Sequence, residues 1–248
     1  MGKVAIVTGG SRGIGAAIAR QLGREGYGVC VNFASNQEAA DGIVAEIRGG
    51  GGRAFAFQGE TSNSGAMRAM FEATEDALGT ATALVNNAGL TGNIGLFADL
   101  GEETMRRVVD VNVIGYMIPA QIAVKRMSTR LGGGGGSIVN VSSIAAQLGS
   151  AKEYVHYAAT KGAVDVFSLG LAREVANEGI RVNAVSPGLI DTTIHADGGD
   201  PDRVEKLNKF IPMKRGGTPA EVAEAVCWLL SDAASYVTGA NLPVSGGR

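Results

Sequence analysis

Cysteine and histidine are scarce in this chain of 248 residues, which contains two of each. Cys30 and Cys227 both lie in apolar segments. Two buried thiols are more typical of such positions than a disulfide, and nothing marks either residue as a nucleophile. His156 and His195 have no other metal-ligating residues beside them. We therefore predict neither a disulfide scaffold nor a metal site.

Long apolar runs and a strong excess of one charge are also missing. No apolar run approaches the roughly 18 residues that a membrane span needs. The first residues enter a strand without the apolar region of a secretory signal. The formal net charge is only -2, which gives no sign of a surface for nucleic acid or acidic membrane. We expect a cytoplasmic protein that binds neither nucleic acid nor membrane.

Glycine, by contrast, is abundant, with 38 residues. Two runs, Gly49–Gly52 and Gly132–Gly136, each lie between a helical pattern and a strand, so we predict surface turns there. A third group follows the apolar strand Lys3–Thr8 and opens a helical pattern at 16–26. Strand, glycine turn and helix in this order are the context of a dinucleotide site, in which the helix N-terminus binds the phosphates. The spacing is Gly9-xxx-Gly13-x-Gly15, which differs from the common GxGxxG pattern, and a simple tight connection is the alternative.

The end of the second strand bears on the identity of the nucleotide. An acidic residue there would accept a hydrogen bond from the ribose 2′-OH of NAD. The strand Gly28–Phe33 instead contains Asn32 and is followed by Ser35 and Asn36. No carboxylate is present to repel a 2′-phosphate, and Arg12 in the glycine turn can pair with one. The sequence therefore favours NADP over NAD. The alternative is that Arg12 is solvated and Asn36 only caps the next helix.

Strands and helices alternate along the chain. Further strands are predicted at 54–59, 83–89, 137–142, 180–185 and 241–247. The alternation predicts an α/β fold, a single doubly wound Rossmann-type domain over residues 1–248, with a parallel sheet of about seven strands and helices on both faces. The polar segment 189–217 follows a strand, so we predict a substrate lid there, with a disordered insertion as the alternative.

A long helical pattern, Glu102–Arg130, contains an amide in an apolar stretch. Asn112 lies between two valines, and a buried amide needs hydrogen-bond partners. We expect Asn112 to bend the helix locally or to hold a water.

The stretch Ser143–Lys161 contains a hydroxyl, a phenol and an ammonium. Tyr157 and Lys161 are four residues apart in a helical pattern, so both side chains can lie on one helix face. Ser143 follows a strand, at the edge of the sheet where ligands bind. A nearby ammonium favours the phenolate and lowers a tyrosine pKa from about 10, so the pair can move a proton near neutral pH. Taken alone, the spacing is more typical of an aromatic packing residue beside a solvated lysine.

The order and spacing of these motifs closely resemble the short-chain dehydrogenase/reductase family over essentially the whole chain. The matching motifs are Thr8-Gly9-xxx-Gly13-x-Gly15, Asn86-Asn87-Ala88-Gly89, Asn112, Ser143, Tyr157-xxx-Lys161, and Pro187-Gly188 with Thr192. Each is unspecific alone, whereas the set is specific. The wider sequence is similar to bacterial 3-oxoacyl carrier-protein reductases and glucose dehydrogenases.

The resemblance implies roles for these residues. Tyr157 would donate and accept the proton, and Ser143 would position the substrate oxygen. Lys161 would hold the nicotinamide ribose and lower the Tyr157 pKa, and Asn112 would hold a water that links Lys161 to solvent. The expected cofactor-binding residues are Gly9, Ser11, Arg12, Gly13, Ile14, Gly15, Asn32, Ser35, Asn36, Glu60, Thr61, Asn87, Ala88, Gly89, Tyr157, Lys161, Pro187, Gly188, Ile190 and Thr192.

Two positions depart from the family pattern. Glu60 stands where the adenine-side loop usually has Asp, and Ser245 stands where an acidic residue usually precedes the last glycine pair. The first concerns the adenine contact and the second a subunit contact, so neither touches the catalytic residues.

The combined interpretation is an NADP-dependent oxidoreductase that transfers a hydride between nicotinamide and a carbonyl or alcohol substrate, with Tyr157 as general acid/base. The alternatives are a 3-oxoacyl carrier-protein reductase and a nucleotide-sensing protein without activity on the same fold. The long helix has basic residues that would face a carrier protein and are otherwise a solvated face. These are Arg106, Arg107, Lys125, Arg126 and Arg130. We expect a small-molecule substrate and a homo-oligomer, a dimer or tetramer, as is usual for the family.

Overall fold

The sheet is the centre of the fold. The computed structural model describes residues 2–193 and 198–248, and His195 and part of the lid therefore lie outside the described residues. Within them, seven parallel strands form one sheet in the order β3-β2-β1-β4-β5-β6-β7. The strands are β1 Val4–Val7, β2 Gly28–Phe33, β3 Arg53–Gln58, β4 Ala83–Asn86, β5 Gly136–Val141, β6 Ile180–Pro187 and β7 Asn241–Val244. Every residue of β1, β2 and β4 is buried, which explains why these strands are apolar without alternation.

Helices cover both faces of the sheet, as the sequence predicted. They are α1 Gly13–Arg24, α2 Gln37–Gly49, α3 Ser64–Leu78, α4 Glu102–Val109, α5 Gly115–Met127, α6 Ala145–Leu148, α7 Val155–Val175, α8 Arg203–Leu207 and α9 Pro219–Leu230. Apolar residues of α1, α2 and α9 form one core cluster with the sheet. Residues of α3, α5 and α7 form the other. The fold is therefore a doubly wound Rossmann-type α/β sheet.

The expected long helix is interrupted at Asn112. Residues Asp110–Ile114 form a π-helical turn between α4 and α5, and Asn112 is fully buried in it. π-helical turns inside α-helices are frequent at functional sites. The predicted local distortion at Asn112 is confirmed.

One helical stretch has the length and composition of a membrane span, which the sequence analysis missed. Within the described residues, Glu102–Met127 passes this test with a mean hydropathy of 1.2. Charged residues interrupt its apolar positions, so the stretch does not look like a continuous apolar run. In the structure 44% of the window is buried, and Ala120, Ala123 and Met127 pack in the core. A core helix has the same composition, so the expected cytoplasmic location stays a prediction.

The second glycine run is more closely packed than a surface turn. A Cβ on Gly133 would lie 2.3 Å from the carbonyl oxygen of Arg126, and one on Gly136 would lie 2.6 Å from the sulfur of Met127. At Gly49, in the first run, the space is open. The second run thus allows the end of α5 to pass close to the start of β5.

The strand order reverses between β1 and β4. The chain winds outward from β1 towards β3 on one side and from β4 towards β7 on the other, so the loops after β1 and β4 diverge. Ligands bind in the crevice that this reversal opens at the carboxyl ends of the strands. The fold therefore brings the glycine turn, the loop after β4 and the end of β5 to one place.

Candidate active site

A cleft of about 780 Å³ lies at the carboxyl ends of the strands, within the size range of small-molecule and cofactor sites. The loops after β1, β2, β4, β5 and β6 contribute to its lining. Of the residues predicted for the site, all except Gly15 and Asn112 line this cleft. The two exceptions lie behind it.

Gly15 allows α1 to pack against the glycine turn. A Cβ at this position would lie 2.2 Å from the carbonyl oxygen of Gly9 and 2.5 Å from the side-chain nitrogen of Asn87. The same Asn87 nitrogen donates hydrogen bonds to the carbonyls of Thr8 (3.0 Å) and Gly9 (3.1 Å). Asn87 therefore fixes the loop after β4 to the turn after β1, and Gly15 is needed for that close approach.

The N-terminus of α1 faces the cleft without a side-chain cap. Arg12 at the N-cap position makes no side-chain capping hydrogen bond, whereas Asn36 and Asn63 cap α2 and α3. Gly13 begins α1 with φ of +52°, a conformation that favours glycine, and a Cβ there would lie 3.5 Å from the Thr192 side chain. The first N–H groups of a helix and its dipole favour an anion. The turn therefore fits the phosphates of a dinucleotide.

The side chain of Asn32 is hydrogen-bonded to backbone groups at the ends of neighbouring strands, which the sequence did not indicate. Its buried amide accepts a hydrogen bond from the Gly9 N–H (3.4 Å) and donates to the carbonyls of Phe57 (3.3 Å) and Gly59 (2.9 Å). These contacts join the ends of β1, β2 and β3. Because the side-chain amide is committed to backbone groups, recognition of a 2′-phosphate depends on neighbouring residues.

Two neighbours of Asn32 remain at the cleft surface. Ser35 is exposed, and Asn36 accepts a hydrogen bond from the Ala39 N–H (2.9 Å) as the cap of α2. Across the cleft, Arg12 lies 3.5 Å from the hydroxyl of Thr193. The lining at the end of β2 contains no carboxylate within the described residues.

The adenine-side loop contains an ion pair that the sequence analysis missed. Glu60 accepts hydrogen bonds from Nη2 of Arg107 at 2.9 and 3.0 Å, and both residues line the cleft. Arg107 was predicted only as part of a basic helix face. Arg107 is 47 residues from Glu60, so only the fold brings the two side chains together.

Ser143, Tyr157 and Lys161 converge in the cleft. The Ser143 and Tyr157 hydroxyls both line the cleft, and Ser143 is close enough to lower the Tyr157 pKa. The Ser143 hydroxyl also accepts a hydrogen bond from the Ala145 N–H at 3.1 Å. The Lys161 ammonium lies 5.7 Å from the centre of the Tyr157 ring. Tyr157 is on the first turn of α7 and Lys161 on the second, so the helix places both beside the end of β5.

Lys161 is held by a residue that no sequence motif indicated. Its Nζ donates to the Val141 carbonyl (2.8 Å) and to the Tyr116 hydroxyl (3.0 Å). Tyr116, fully buried on α5, donates to the same Val141 carbonyl at 2.9 Å. Burial of the ammonium lowers the Lys161 pKa to about 7, opposed by the charge of Asp165.

The expectation that Lys161 lowers the Tyr157 pKa is wrong in this structure. Burial raises the Tyr157 pKa to about 12, and the hydrogen bond with Ser143 only partly opposes this effect. The reason is that the Lys161 ammonium is itself desolvated and bonded to Val141 and Tyr116. Burial disfavours the charged form of both groups. Tyr157 is consequently a protonated phenol at neutral pH.

Asn112 does not line the cleft, but its side chain is hydrogen-bonded to Leu90, which does. Its amide donates to the Leu90 carbonyl (2.8 Å) and to the Thr160 hydroxyl (3.0 Å), and its oxygen accepts from the Leu90 N–H (2.9 Å). Thr160 in turn donates to the Tyr157 carbonyl at 2.7 Å. The side chain therefore ties the loop after β4 to the first turn of α7. The expected water-holding role stays a prediction.

The lid segment is anchored at both ends. Ile190 and Gly217 form a parallel bridge. The Asp191 N–H donates to Gly217 (2.9 Å) and the Gly217 N–H donates to Leu189 (2.9 Å). Leu189, Ile190 and Arg203 line the cleft, so the described part of the predicted lid lies against the site.

The remaining lining was not singled out from the sequence. It surrounds the side of the cleft beyond Ser143 and Tyr157, and consists mainly of Leu90, Thr91, Ile144, Ala145, Leu148, Ser150, Glu153, Tyr154, Arg203 and Arg248. Several of these residues lie inside the stretch Ser143–Lys161, and this position was the only feature of the sequence that connected them with the site. Arg203 and Arg248 are distant from that stretch, and no sequence pattern connected them with the site.

The chain is similar to known proteins over nearly its full length. A family model described as enoyl-(acyl carrier protein) reductase matches residues 9–248. The uncharacterized oxidoreductase YgfF of Escherichia coli strain K12 is 50% identical over 245 residues, covering 99% of both chains. Glucose 1-dehydrogenase 2 of Bacillus subtilis strain 168 is 39% identical over 246 residues, covering 99% of this chain and 94% of its own.

A solved structure extends the likeness to three dimensions. The crystal structure of a short-chain dehydrogenase from Burkholderia cenocepacia J2315 in complex with NADP matches with a TM-score of 0.90 and 32% identity, covering 99% of this chain and 97% of that chain. With its sheet order, its glycine turn and these matches over nearly its full length, the chain belongs to the short-chain dehydrogenase/reductase family of oxidoreductases.

Proposed function

We propose that this protein is an NADP-dependent oxidoreductase that reduces a carbonyl compound or oxidises the corresponding alcohol. The observation that carries the proposal is the convergence of the Ser143 and Tyr157 hydroxyls and the buried Lys161 ammonium in one cleft. These groups lie in the same cleft as the uncapped N-terminus of α1. A reacting oxygen and a dinucleotide can therefore be bound side by side.

The chemistry follows from the protonation states of these groups. A nicotinamide cofactor bound in this cleft would supply the hydride. Tyr157, protonated at neutral pH, donates its proton to the carbonyl oxygen, and Ser143 holds that oxygen by donating a hydrogen bond. Lys161, with a pKa of about 7, titrates near neutral pH and can return a proton towards Tyr157.

Replacement of Tyr157 by phenylalanine tests the mechanism. Removal of the proton donor should lower kcat by about 10²- to 10⁴-fold while leaving the Kd for NADPH within a few fold. A panel of carbonyl compounds, followed by nicotinamide absorbance, provides the assay. The control is Tyr236→Phe, because Tyr236 is fully exposed. Wild-type turnover by Tyr157→Phe would reject the mechanism.

The preference for NADP rests on the surroundings of Ser35. The described lining near it contains no carboxylate to repel a 2′-phosphate, and the relative from Burkholderia cenocepacia was solved with NADP. A new carboxylate at this position should repel the phosphate.

Ser35→Asp is the variant that tests this preference. It should raise the Kd for NADPH by about tenfold or more, roughly 1.4 kcal/mol, and change the Kd for NADH much less. Ser64→Asp, at the first position of α3 and outside the cleft, is the matched control. Tighter binding of NADH than NADPH by the wild type, measured by fluorescence titration, would contradict the preference.

A free carbonyl compound is favoured over an acyl carrier-protein thioester. Four of the five basic residues that would face a carrier protein, all except Lys125, form ion pairs within the described part of the chain. Arg106 pairs with Glu102 (2.7 Å), Arg107 with Glu60 (2.9 Å), Arg126 with Glu75 (3.9 Å), and Arg130 with Glu178 (2.8 Å). Their charge is already compensated, so they offer a carrier protein little net attraction.

A homo-oligomer is proposed from an apolar surface on α7. Val166 is 73% exposed and Leu169 is 39% exposed, one turn apart on the same helix. Burial of such a pair between two copies is the simplest way to remove it from water. Light scattering should give a mass of two or four chains, and Val166→Glu should lower it. A monomeric wild type would contradict the proposal.

A further inference from the structure

The part of the cleft beyond Tyr157 contains an ion pair between a buried arginine and a half-buried glutamate, next to an aromatic ring. Arg203, only 8% exposed, donates to the Glu153 carboxylate at 2.6 and 3.3 Å. Its guanidinium lies 5.2 Å from the centre of the Tyr154 ring. That ring is in edge contact with Tyr157, with 6.3 Å between ring centroids. Arg203 and Glu153 are therefore one aromatic residue away from the proton donor, and they neutralise each other.

Arg248 adds a second guanidinium to the same wall of the cleft. A turn fixes its backbone: the Ser245 hydroxyl donates to the Arg248 carbonyl (3.0 Å), and the Arg248 N–H donates to the Ser245 carbonyl (3.3 Å). Gly246 and Gly247 have φ of +63° and +88°, which favours glycine at both positions. Ser245, which departs from the family pattern, thus helps to place Arg248.

The guanidinium of Arg248 forms no ion pair or hydrogen bond with a described side chain. The carboxylate that acts on its charge, Glu153, is already bound by Arg203. Burial and the like charge of Arg203 both lower the Arg248 pKa, so its cationic form is disfavoured there. An anion from outside the chain would offset this cost.

A second polar group in this region also lacks a partner. Tyr154 lines the cleft and is 5% exposed, and its hydroxyl makes no hydrogen bond to any described residue. Burial raises the Tyr154 pKa, so the hydroxyl is a donor at neutral pH. An unpartnered buried hydroxyl calls for an acceptor. An anionic group that accepts hydrogen bonds would therefore satisfy both Arg248 and Tyr154.

We propose that the substrate has an anionic group, a carboxylate or a phosphate, remote from its reacting carbonyl, and that Arg248 and the Tyr154 hydroxyl bind it. This inference rests on the proposed carbonyl reductase function and specifies its substrate class. A guanidinium presents a fork of donors that matches both anions. The fixed turn at Ser245 presents it on the side of the cleft next to Tyr157.

Matched pairs of carbonyl compounds test the proposal. Oxo acids with one to four carbons between carbonyl and carboxylate are compared with their methyl esters, and dihydroxyacetone phosphate is compared with dihydroxyacetone. For at least one pair the wild type should give a kcat/KM at least tenfold higher for the anion. The pair that shows it distinguishes carboxylate from phosphate.

Substitution of Arg248 gives the decisive comparison. Arg248→Gln should lower kcat/KM for the preferred anion by about 10- to 100-fold, the loss of a charge-assisted hydrogen bond, and leave the neutral partner within about twofold. Arg248→Lys should recover part of the loss. Arg106→Gln removes an exposed guanidinium outside the cleft and should change neither compound.

Failure of this inference is distinguishable from failure of the proposed function. Reduction of neutral compounds at least as fast as anions, or an equal loss for both in Arg248→Gln, would overturn the anion site and leave the reductase intact. Absence of turnover for every compound would reject the reductase. In that case an unreactive dicarboxylate, succinate, or inorganic phosphate still probes the site. Either should raise the Tm of the wild type more than that of Arg248→Gln, since phosphate can also bind at the N-terminus of α1 in both proteins, and equal shifts of the two proteins for both compounds would overturn the site.

Discussion

The contact between Tyr116 and Lys161 gives the sharpest test of how the ammonium is held. The phenol accepts a hydrogen bond from Lys161 at 3.0 Å and donates to Val141 at 2.9 Å. Tyr116→Phe removes only the hydroxyl. The Val141 carbonyl still accepts from Lys161 at 2.8 Å, so no backbone group is left without a partner. The pH-dependent part of the change is therefore confined to one of the two protein hydrogen bonds of the ammonium. The bond from the hydroxyl to Val141 is lost equally at both pH values.

The expected loss depends on the charge of Lys161. A hydrogen bond to a charged group contributes about 1.5–3 kcal/mol, and one between neutral groups about 0.5–1.5 kcal/mol. The wild-type Lys161 pKa is about 7, so the larger loss applies below pH 7 and the smaller loss above it. We expect Tyr116→Phe to lower the free energy of unfolding by at least about 2 kcal/mol at pH 6 and at least about 1 kcal/mol at pH 8. The Lys161 pKa should fall further, by about one unit or more, since one unit is 1.36 kcal/mol.

Thermal unfolding followed by circular dichroism at both pH values measures this difference. For a chain of this size about 1 kcal/mol shifts Tm by roughly 2–4 °C, so the variant should lose at least about 4–8 °C at pH 6 and at least about half of that at pH 8. Tyr27→Phe, a buried tyrosine outside the cleft, is the control for the substitution itself. A loss that is the same at both pH values, or no larger than that of the control, would refute the reasoning.

Three further predictions follow from positions around and behind the site. Gly15→Ala should lower the free energy of unfolding by about 1–3 kcal/mol in denaturant titrations, because its Cβ would lie 2.2 Å from the Gly9 carbonyl oxygen. Wild-type stability of this variant would show that the glycine turn can shift to accommodate the methyl group. Thr218→Ala should cost about 1 kcal/mol in the same assay, since it removes the N-cap of α9, and an unchanged midpoint would contradict the cap. Neither Cys30 nor Cys227 should react with a thiol reagent at neutral pH, because burial raises the pKa of Cys30 to about 12 and that of Cys227 above its ordinary range. Both should react in guanidinium chloride, and modification of the folded protein would argue against their burial.

The strands of the sheet could be predicted from local sequence patterns, because each strand is determined by residues that are close together in the sequence. Strand β2 was predicted at its observed bounds, since Gly28–Phe33 is an apolar run with a turn on each side. The helix that was predicted at Glu102 ends at Met127 and contains the π-helical turn around Asn112. An apolar pattern does not encode that turn, although the buried amide signalled that the helix was not regular.

The parts of the site that the sequence did not reveal depend on contacts between distant segments. Tyr116 is 45 residues from Lys161 and lies in an apolar stretch, where a tyrosine is usual as a core residue. Arg203 is 50 residues from Glu153 and was considered only as part of a polar lid. Asn32 shows the reverse case. Its position at the strand end indicated a ligand contact, but the structure commits its amide to three backbone groups.

Electrostatics inside the site were also misjudged from spacing. An ammonium four residues away was expected to stabilise the Tyr157 phenolate, whereas the fold buries both side chains and disfavours both charges. The distance between two residues along a helix gives their proximity, but the pKa depends on how much water the fold removes from each. A protonated Tyr157 is nevertheless the form that donates a proton in carbonyl reduction.

Burial of Lys161 should also appear in the pH dependence of stability. The folded pKa of Lys161 is about 7, against 10.5 for a lysine in water, so between these values the unfolded chain binds more protons than the folded one. Stability from this group therefore rises with pH across that window and is constant below it, where both states are protonated. Integration from pH 7 to pH 9 gives about 2 kcal/mol.

Lys161→Met removes this titration and leaves the Tyr116 hydroxyl bonded to Val141. In urea unfolding, the stability of the wild type relative to this variant should increase by about 2 kcal/mol between pH 7 and pH 9. Lys125→Met, at an exposed position of α5, controls for the loss of a lysine. If the curves of wild type and Lys161→Met stay parallel over this range, the ammonium is not desolvated as the structure places it. The same ammonium could then stabilise the Tyr157 phenolate after all, because the burial that now opposes both charges would be absent.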